Sequence, residues 1–344
     1  MFTPSRLRLA RQRLGWTLKR LAEVSDVSTR TLTTHENSAD REPSPEVIER
    51  LAKALKVQAE FFYRDAVDPV APAAASFRKL SKTSALMRDA ALASANVGIE
   101  FFEIIERKFS LPTPDVPDLG KHLPETAAEI IRKLWNLGDK PIPNLLHLLE
   151  ANGVRVLSLS HQFDSIDAFC FSRDGTPYVF LNTSKSGERQ RFDLAHELGH
   201  LVLHRDLEMT ASESKEREAE AHRFASSLLM PRTGVLAQGM GGASQERILA
   251  AKAYWKTSAM ATTYRLKELN LMSDWQYRSM CITLAEQGYR TSEPGGIVPE
   301  MSLLLRKVLF GPQKANLAGV GRELALTEKS EISRLVNGLV PVAA

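Results

Sequence analysis

Residues His196 to His204 read H-E-L-G-H-L-V-L-H, and this stretch constrains the fold more than any other in the chain. Two histidines four apart can meet one metal ion only if the backbone between them is helical, because one turn then sets both imidazoles on the same face, ~6 Å apart. Phe192, Leu194, Ala195, Leu198, Leu201 and Val202 recur at spacings of three and four around them, which predicts a buried amphipathic helix. Glu197 sits between the histidines, and a buried carboxylate with no metal nearby is costly. The pattern therefore predicts His196 and His200 as metal ligands and Glu197 as a general base. Such a trio suits hydrolysis of a peptide bond, with zinc to acidify water and polarise the carbonyl.

A catalytic zinc needs a third protein ligand and an open position. His204 lies eight residues beyond His196, so ~12 Å along the axis, too far to share the ion; it suits the helix end, where the dipole favours it. Asp206 stands where a longer H-E-x-x-H-x-x-G-x-x-H pattern would put its last ligand, but Leu203 replaces the glycine that pattern needs for its turn. An acidic helix from Lys215 to Met230 offers the third candidate. Its face of Glu218, Ala221, Ala225 and Leu228-Leu229 turns Glu218 toward a neighbouring helix while Glu216 and Glu220 point elsewhere. Glu218 is the expected ligand; the plain alternative is a solvated acid suited to a helix start.

Arg189 to His204, then Glu218-Ala219-Glu220-Ala221-His222-Arg223-Phe224-Ala225 and Leu228-Leu229-Met230-Pro231, resemble the ImmA/IrrE family of metallopeptidases. The resemblance implies Glu218 as third zinc ligand, in agreement with the facing argument. It also implies a side chain four residues on that supports the ligands from behind, usually Asn or Asp, where this chain has His222. An imidazole can hydrogen-bond a ligand histidine, though it could also compete for the metal. Zinc is the implied cofactor, with manganese as the alternative ion. His161, Tyr178 and His222 are the candidates for stabilising the transition state.

With 344 residues the chain is expected to hold two or three domains. No stretch approaches the ~20 apolar residues of a membrane span and the first residues lack a secretory core, so a cytoplasmic protein with no membrane partner is expected. Cys170 and Cys281, far apart in sequence, fit free thiols. The net charge of +4 is confined to the first 64 residues, where twelve Lys/Arg face eight Asp/Glu. A basic small domain on a neutral body points to nucleic acid.

That segment has helical patterns over Ser5 to Leu14, Thr17 to Val24, Ser28 to Glu36 and Ser44 to Leu55, then a short turn through Phe61 to Tyr63. Only Ser25-Asp26-Val27 separates the second from the third, the short connection of a helix-turn-helix. Through Leu21-Ala22, Val27-Ser28, Leu32, Glu36-Asn37 and Leu51-Ala52-Lys53-Ala54-Leu55 it resembles the XRE, or Cro/C1-type, DNA-binding domain. The resemblance implies that the third helix enters the major groove of double-stranded DNA, with Ser28, Thr29, Arg30, Thr33 and Thr34 as contacts. Leu18 stands where that family often has a phosphate-binding Gln, and Arg30 is the one strong base reader.

The expected organisation is α+β, mostly α. An all-α helix-turn-helix domain (1–64) and a Pro/Ala linker (65–76) lead to a helical region packing on the core (77–152). A zincin-like (gluzincin) peptidase core (153–235) follows, with a small antiparallel sheet before the H-E-x-x-H helix, and then a mostly helical C-terminal region (236–344). Strands are read at Val154 to Leu159, Ile166 to Phe171 and Tyr178 to Leu181, the last two joined through Asp174-Gly175. An edge strand of such a sheet can hold an extended substrate by main-chain hydrogen bonds. The tail carries no chemistry of its own; structural cover, a sensor or a homodimer surface are its open readings. The family resemblance implies a protein substrate, namely a helix-turn-helix repressor cut to relieve repression in a stress or mobile-element response. The rival is a transcriptional repressor or antitoxin-type protein whose zinc domain is a sensor or scaffold.

Overall fold

The computed structural model describes residues 1–38, 40–71, 76–77, 84–159, 163, 165–205, 213–312, 314–315, 317–327 and 329–341. The N-terminal domain comprises α1 (Pro4–Gln12), α2 (Leu18–Ser25), α3 (Thr29–Asn37) and α4 (Pro45–Leu55), closed by a 3-10 turn at Ala59–Tyr63. Thr17 and Ser28 cap α2 and α3 by accepting from the amides of Arg20 and Thr31, each at 3.1 Å. Asp26 at φ 53° makes the turn between the two helices. Leu7, Leu21, Leu32, Leu51 and Leu55 form the core. Beside it Arg11 grips Glu36 with two hydrogen bonds, of 2.6 and 2.8 Å, a geometry that ties the first helix to the third.

The body is built on a sheet ordered β1-β3-β4-β2, from β1 (Ser76–Phe77), β2 (Arg155–Ser158), β3 (Ala168–Arg173) and β4 (Thr176–Leu181). The β3–β4 hairpin turns at Asp174-Gly175, where φ is 51° and 76°. The sheet is mixed, not wholly antiparallel as expected from sequence, because β2 pairs with β4 in parallel. The reason is topological: β3 returns antiparallel two places away from β2, and its hairpin partner turns back into the slot between them. The end of the stretch read as linker also contributes, since Ser76–Phe77 pairs antiparallel with Phe169–Cys170.

Both faces of the sheet are covered at β2, β3 and β4, so these strands are largely buried on both sides. On one face α5 (Ala85–Glu106) sets Phe102 against Tyr178, with Phe169, Phe171 and Phe180 stacked beneath. On the other lies α8 (Gly187–Leu203), where the Cys170 thiol donates to the Glu197 carbonyl. Helices α6 (Pro124–Leu134), α7 (Leu145–Ala151) and α9 (Glu213–Leu229) pack around α8.

The C-terminal region continues with α10 (Arg232–Ala237), α11 (Gln245–Trp255), α12 (Ala259–Glu268), α13 (Asp274–Glu286), α14 (Leu303–Phe310), α15 (Leu317–Glu323) and α16 (Lys329–Val336). Sequence periodicity passes over α13 because Leu284 is its one buried residue among neighbours such as Trp275 and Ile282 that face solvent. Its start is nevertheless encoded, by a capping box between Ser273 and Gln276. No described helix is long and apolar enough to cross a membrane.

The N-terminal domain rests on this body. Glu100 of α5 accepts from Arg6 at 2.5 Å and pairs with Arg64 at 3.0 Å, and the Gln58 amide donates to the Ala325 carbonyl at 2.8 Å.

Candidate metal centre

The centre begins with α8, whose N-cap Ser186 accepts from the Arg189 amide and whose residues from 187 to 203 are all buried except Arg189. A helix so enclosed fixes the direction of every side chain it carries. The rings of His196 and His200 therefore face one way, with their Nε2 atoms 3.1 Å apart. Across from them α9 brings Glu218, whose two oxygens lie 3.3 Å from the Nε2 atoms of His196 and His200 respectively. The close approach of α9 depends on Gly199: a Cβ there would stand 3.1 Å from the Ala221 Cα and from the Phe224 ring.

These three side chains form a group that could hold a metal ion, with all donor atoms within 4.8 Å of one another. The spacing can be tested against an ion's demands. Ligand atoms ~2.0–2.1 Å from a tetrahedral ion lie ~3.3 Å apart, which the observed separations match. The donor chemistry agrees, since two imidazoles and one carboxylate make a three-ligand set that leaves a fourth position open. Burial pushes the Glu218 carboxyl up, but hydrogen bonds from His196 and His200, and their charge, outweigh it and hold the group far below the usual carboxylate range. Glu218 is thus an anion facing two imidazoles.

Glu197 is 1 % exposed, on the same helix turn as the two histidines. His204 caps α8, as its place at the helix end implied, and does more: its Nδ1 lies 3.0 Å from His200 Nδ1, while its Nε2 lies 2.8 Å from Glu220. Glu220 thus reaches His200 through His204, a chain that orients the His200 ring. The sequence signal was the third histidine of the i, i+4, i+8 series; Glu220 could be assigned only once α9 was placed.

His222 stands one turn beyond Glu218 and packs against Phe192 and Tyr264, with ring centres 4.8 and 5.6 Å away. It lines a cleft of about 1450 Å³ that runs from His196 and Glu218 past Tyr264 and Tyr277 to Arg290. Helix α13 and the chain after it thus wall the cleft, which the sequence did not reveal. Tyr178 is elsewhere: it is buried on the α5 face of the sheet against Phe102 and Phe171, and burial raises its phenol, so it is removed as a candidate for the transition state. His161 and Asp206 lie outside the described residues.

In the N-terminal domain Ser28, Thr29, Arg30 and Thr33 are exposed along α3 and Thr34 is half-buried. Ser28 is occupied as N-cap, and the hydroxyls of Thr33 and Thr34 donate back to the carbonyls of Thr29 and Arg30. Arg30 is the long cationic side chain among them.

Comparison with known families agrees with this geometry. Residues 149–267 match the IrrE N-terminal-like domain of the M78 peptidase family, and residues 7–62 match a helix-turn-helix family. No curated protein matches the chain significantly.

Proposed function

We propose that this chain, a DNA-binding helix-turn-helix domain joined to an IrrE N-terminal-like domain, is a zinc-dependent endopeptidase that cuts a helix-turn-helix repressor and so relieves repression in a stress or mobile-element response. The observation that carries the enzymatic reading is the His196, His200 and Glu218 trio at tetrahedral spacing with Glu197 in the same helix turn. Zinc suits two imidazoles and a carboxylate, with manganese as the alternative.

His196, His200 and Glu218 would hold a zinc ion, which would supply the Lewis acidity that acidifies water and polarises a peptide carbonyl. Glu197 takes the proton from the attacking water and delivers it to the leaving amine. His204 and Glu220 hold the His200 ring in register, and His222, on the cleft wall one turn from Glu218, is the candidate to meet the developing oxyanion. In the other domain α3 enters the major groove, where Arg30 reads a base and Ser28, Thr29, Thr33 and Thr34 contact the backbone or base edges.

The test compares new protein N-termini in native-host cells carrying the intact chain or Glu197→Gln, with and without DNA damage. A neo-terminus in a helix-turn-helix protein that depends on Glu197 is expected. Identical termini in both strains, with equal transcript changes near the gene, would favour the rival reading, a DNA-binding regulator whose zinc domain is a sensor or scaffold.

A further inference from the structure

The edge of β3 is where the catalytic helix and the sheet meet. Cys170 on this strand touches the Glu197 carbonyl with its thiol, at 3.4 Å. At the far side of the sheet β2 is flanked by α7 and α16. An extended peptide laid antiparallel on the β3 edge would therefore run beside Cys170, which touches the backbone of the proposed base, one strand spacing away, ~4.8 Å.

The chain's own backbone holds that place. Ser76 pairs with Cys170 and Phe77 with Phe169, antiparallel, as a bound strand would. A second tie fixes the same segment to the same strand. Arg173, three residues along β3, pairs with the Asp68 carboxylate at 2.8 Å and donates to the Asp68 carbonyl at 2.7 Å. The direction agrees: stepping back from Ser76 along an antiparallel partner leads toward Arg173, where Asp68 is anchored. Ser76–Phe77 is thus a strand delivered in cis.

We propose that Ser76–Phe77 occupies the position of a substrate strand, and that an outside peptide binds β3 only when this segment leaves it. The proposal rests on the peptidase reading for the purpose of the edge. A short tether gives its segment an effective concentration in the millimolar range, so an outside peptide competes at a large disadvantage.

The test is equilibrium binding by the full chain, zinc-loaded and carrying Glu197→Gln so that nothing is cut. The probe is a fluorescein-labelled peptide copying residues 72–83. Replacing both strand residues (Ser76→Pro with Phe77→Pro) removes the ladder donors, and the affinity of this variant for the peptide is expected to rise at least tenfold. Unchanged affinity, with helicity and zinc retained, would overturn the proposal. A second variant guards against misfolding. Arg173→Ala removes the tie to Asp68 and leaves the strand pairing itself untouched; its affinity for the peptide should also rise, with helicity and zinc retained. Affinity unchanged in this variant as well would overturn the proposal. Loss of the Glu197-dependent neo-terminus with these affinity changes intact would instead remove the peptidase and leave the strand exchange standing.

Discussion

At the scale of single residues, three side chains carry the site and one thiol reports on it. Glu218→Ala should reduce bound zinc from about one ion per chain to near none, while His204→Ala, which touches the site only through His200, should retain most of it; metal analysis after dialysis distinguishes the two. Burial pushes the Cys170 thiol well above its ordinary value, with Glu197 and Glu218 adding to the shift, whereas Cys281 is half-buried on the cleft wall. Iodoacetamide should therefore label Cys281 alone in the native protein at neutral pH, and labelling of Cys170 would contradict the packing of β3 on α8. In the DNA-binding domain, Arg30→Ala should weaken specific binding by ~1–3 kcal/mol, and no change would exclude α3 as the reading helix. Much of this was legible in sequence, because helical spacing alone decides which histidines share a face. Glu218 could be chosen over Glu216 and Glu220 by the same logic. The pairing of Glu220 with His204 could not, since it depends on how two helices are offset.

At the scale of elements, the contact of α8 with α9 sets the spacing of His196, His200 and Glu218. Gly199→Ala should push the helices apart by a few tenths of an ångström and lower zinc affinity, about tenfold on the scale of lost outer support, without unfolding the chain. A second junction joins α8 to α11 and the chain after α13, where Lys252 lies 3.3 Å from Glu188 and 3.2 Å from Glu293, all buried. Burial raises the Glu293 carboxyl above 4.5, against lowering bonds from the Ala259 amide and Lys252, with Glu188 adding to the rise. The fold thus favours its protonated form. That contribution is complete below the unfolded value near 4.5 and is lost as pH rises through the elevated folded value. In the window that opens at 4.5 and runs upward, Glu293→Gln should flatten part of the fall in stability seen in urea unfolding; an unchanged slope would show that another group is responsible. Strand existence was readable from β-branched and aromatic runs, and the hairpin from Asp-Gly. The parallel pairing of β2 was not, because register between strands separated in sequence has no local signal.

At the scale of the whole molecule, the DNA-binding domain is docked and not loosely tethered. Val67 donates its amide to Ser5, Val70 is buried and Asp68 is held by Arg173, so the stretch read from its Pro and Ala content as a spacer is tied down along its described length. Composition reports the lack of helical periodicity and says nothing of what the backbone later meets. Glu100 holds two guanidinium groups at this junction, so Glu100→Ala leaves buried charge without its partner. About 3 kcal/mol of coupling should be lost, seen as an earlier, separate melting step for residues 1–64. A single unshifted transition would contradict the docking. The C-terminal region, which gave no chemical signal in sequence, walls the cleft through α13 and contacts the DNA-binding domain at Ala325, in the turn after α15.

The proposed peptidase chemistry requires one ion held by two imidazoles and one carboxylate, and X-ray absorption at the zinc edge of the reconstituted chain reads that set of donors directly. It should show two imidazole nitrogens and light oxygen donors at ~2.0–2.2 Å, with no sulfur, and the same coordination in Glu197→Gln. A spectrum containing thiolate, one with three imidazoles, or a chain that binds no zinc at this centre would contradict it.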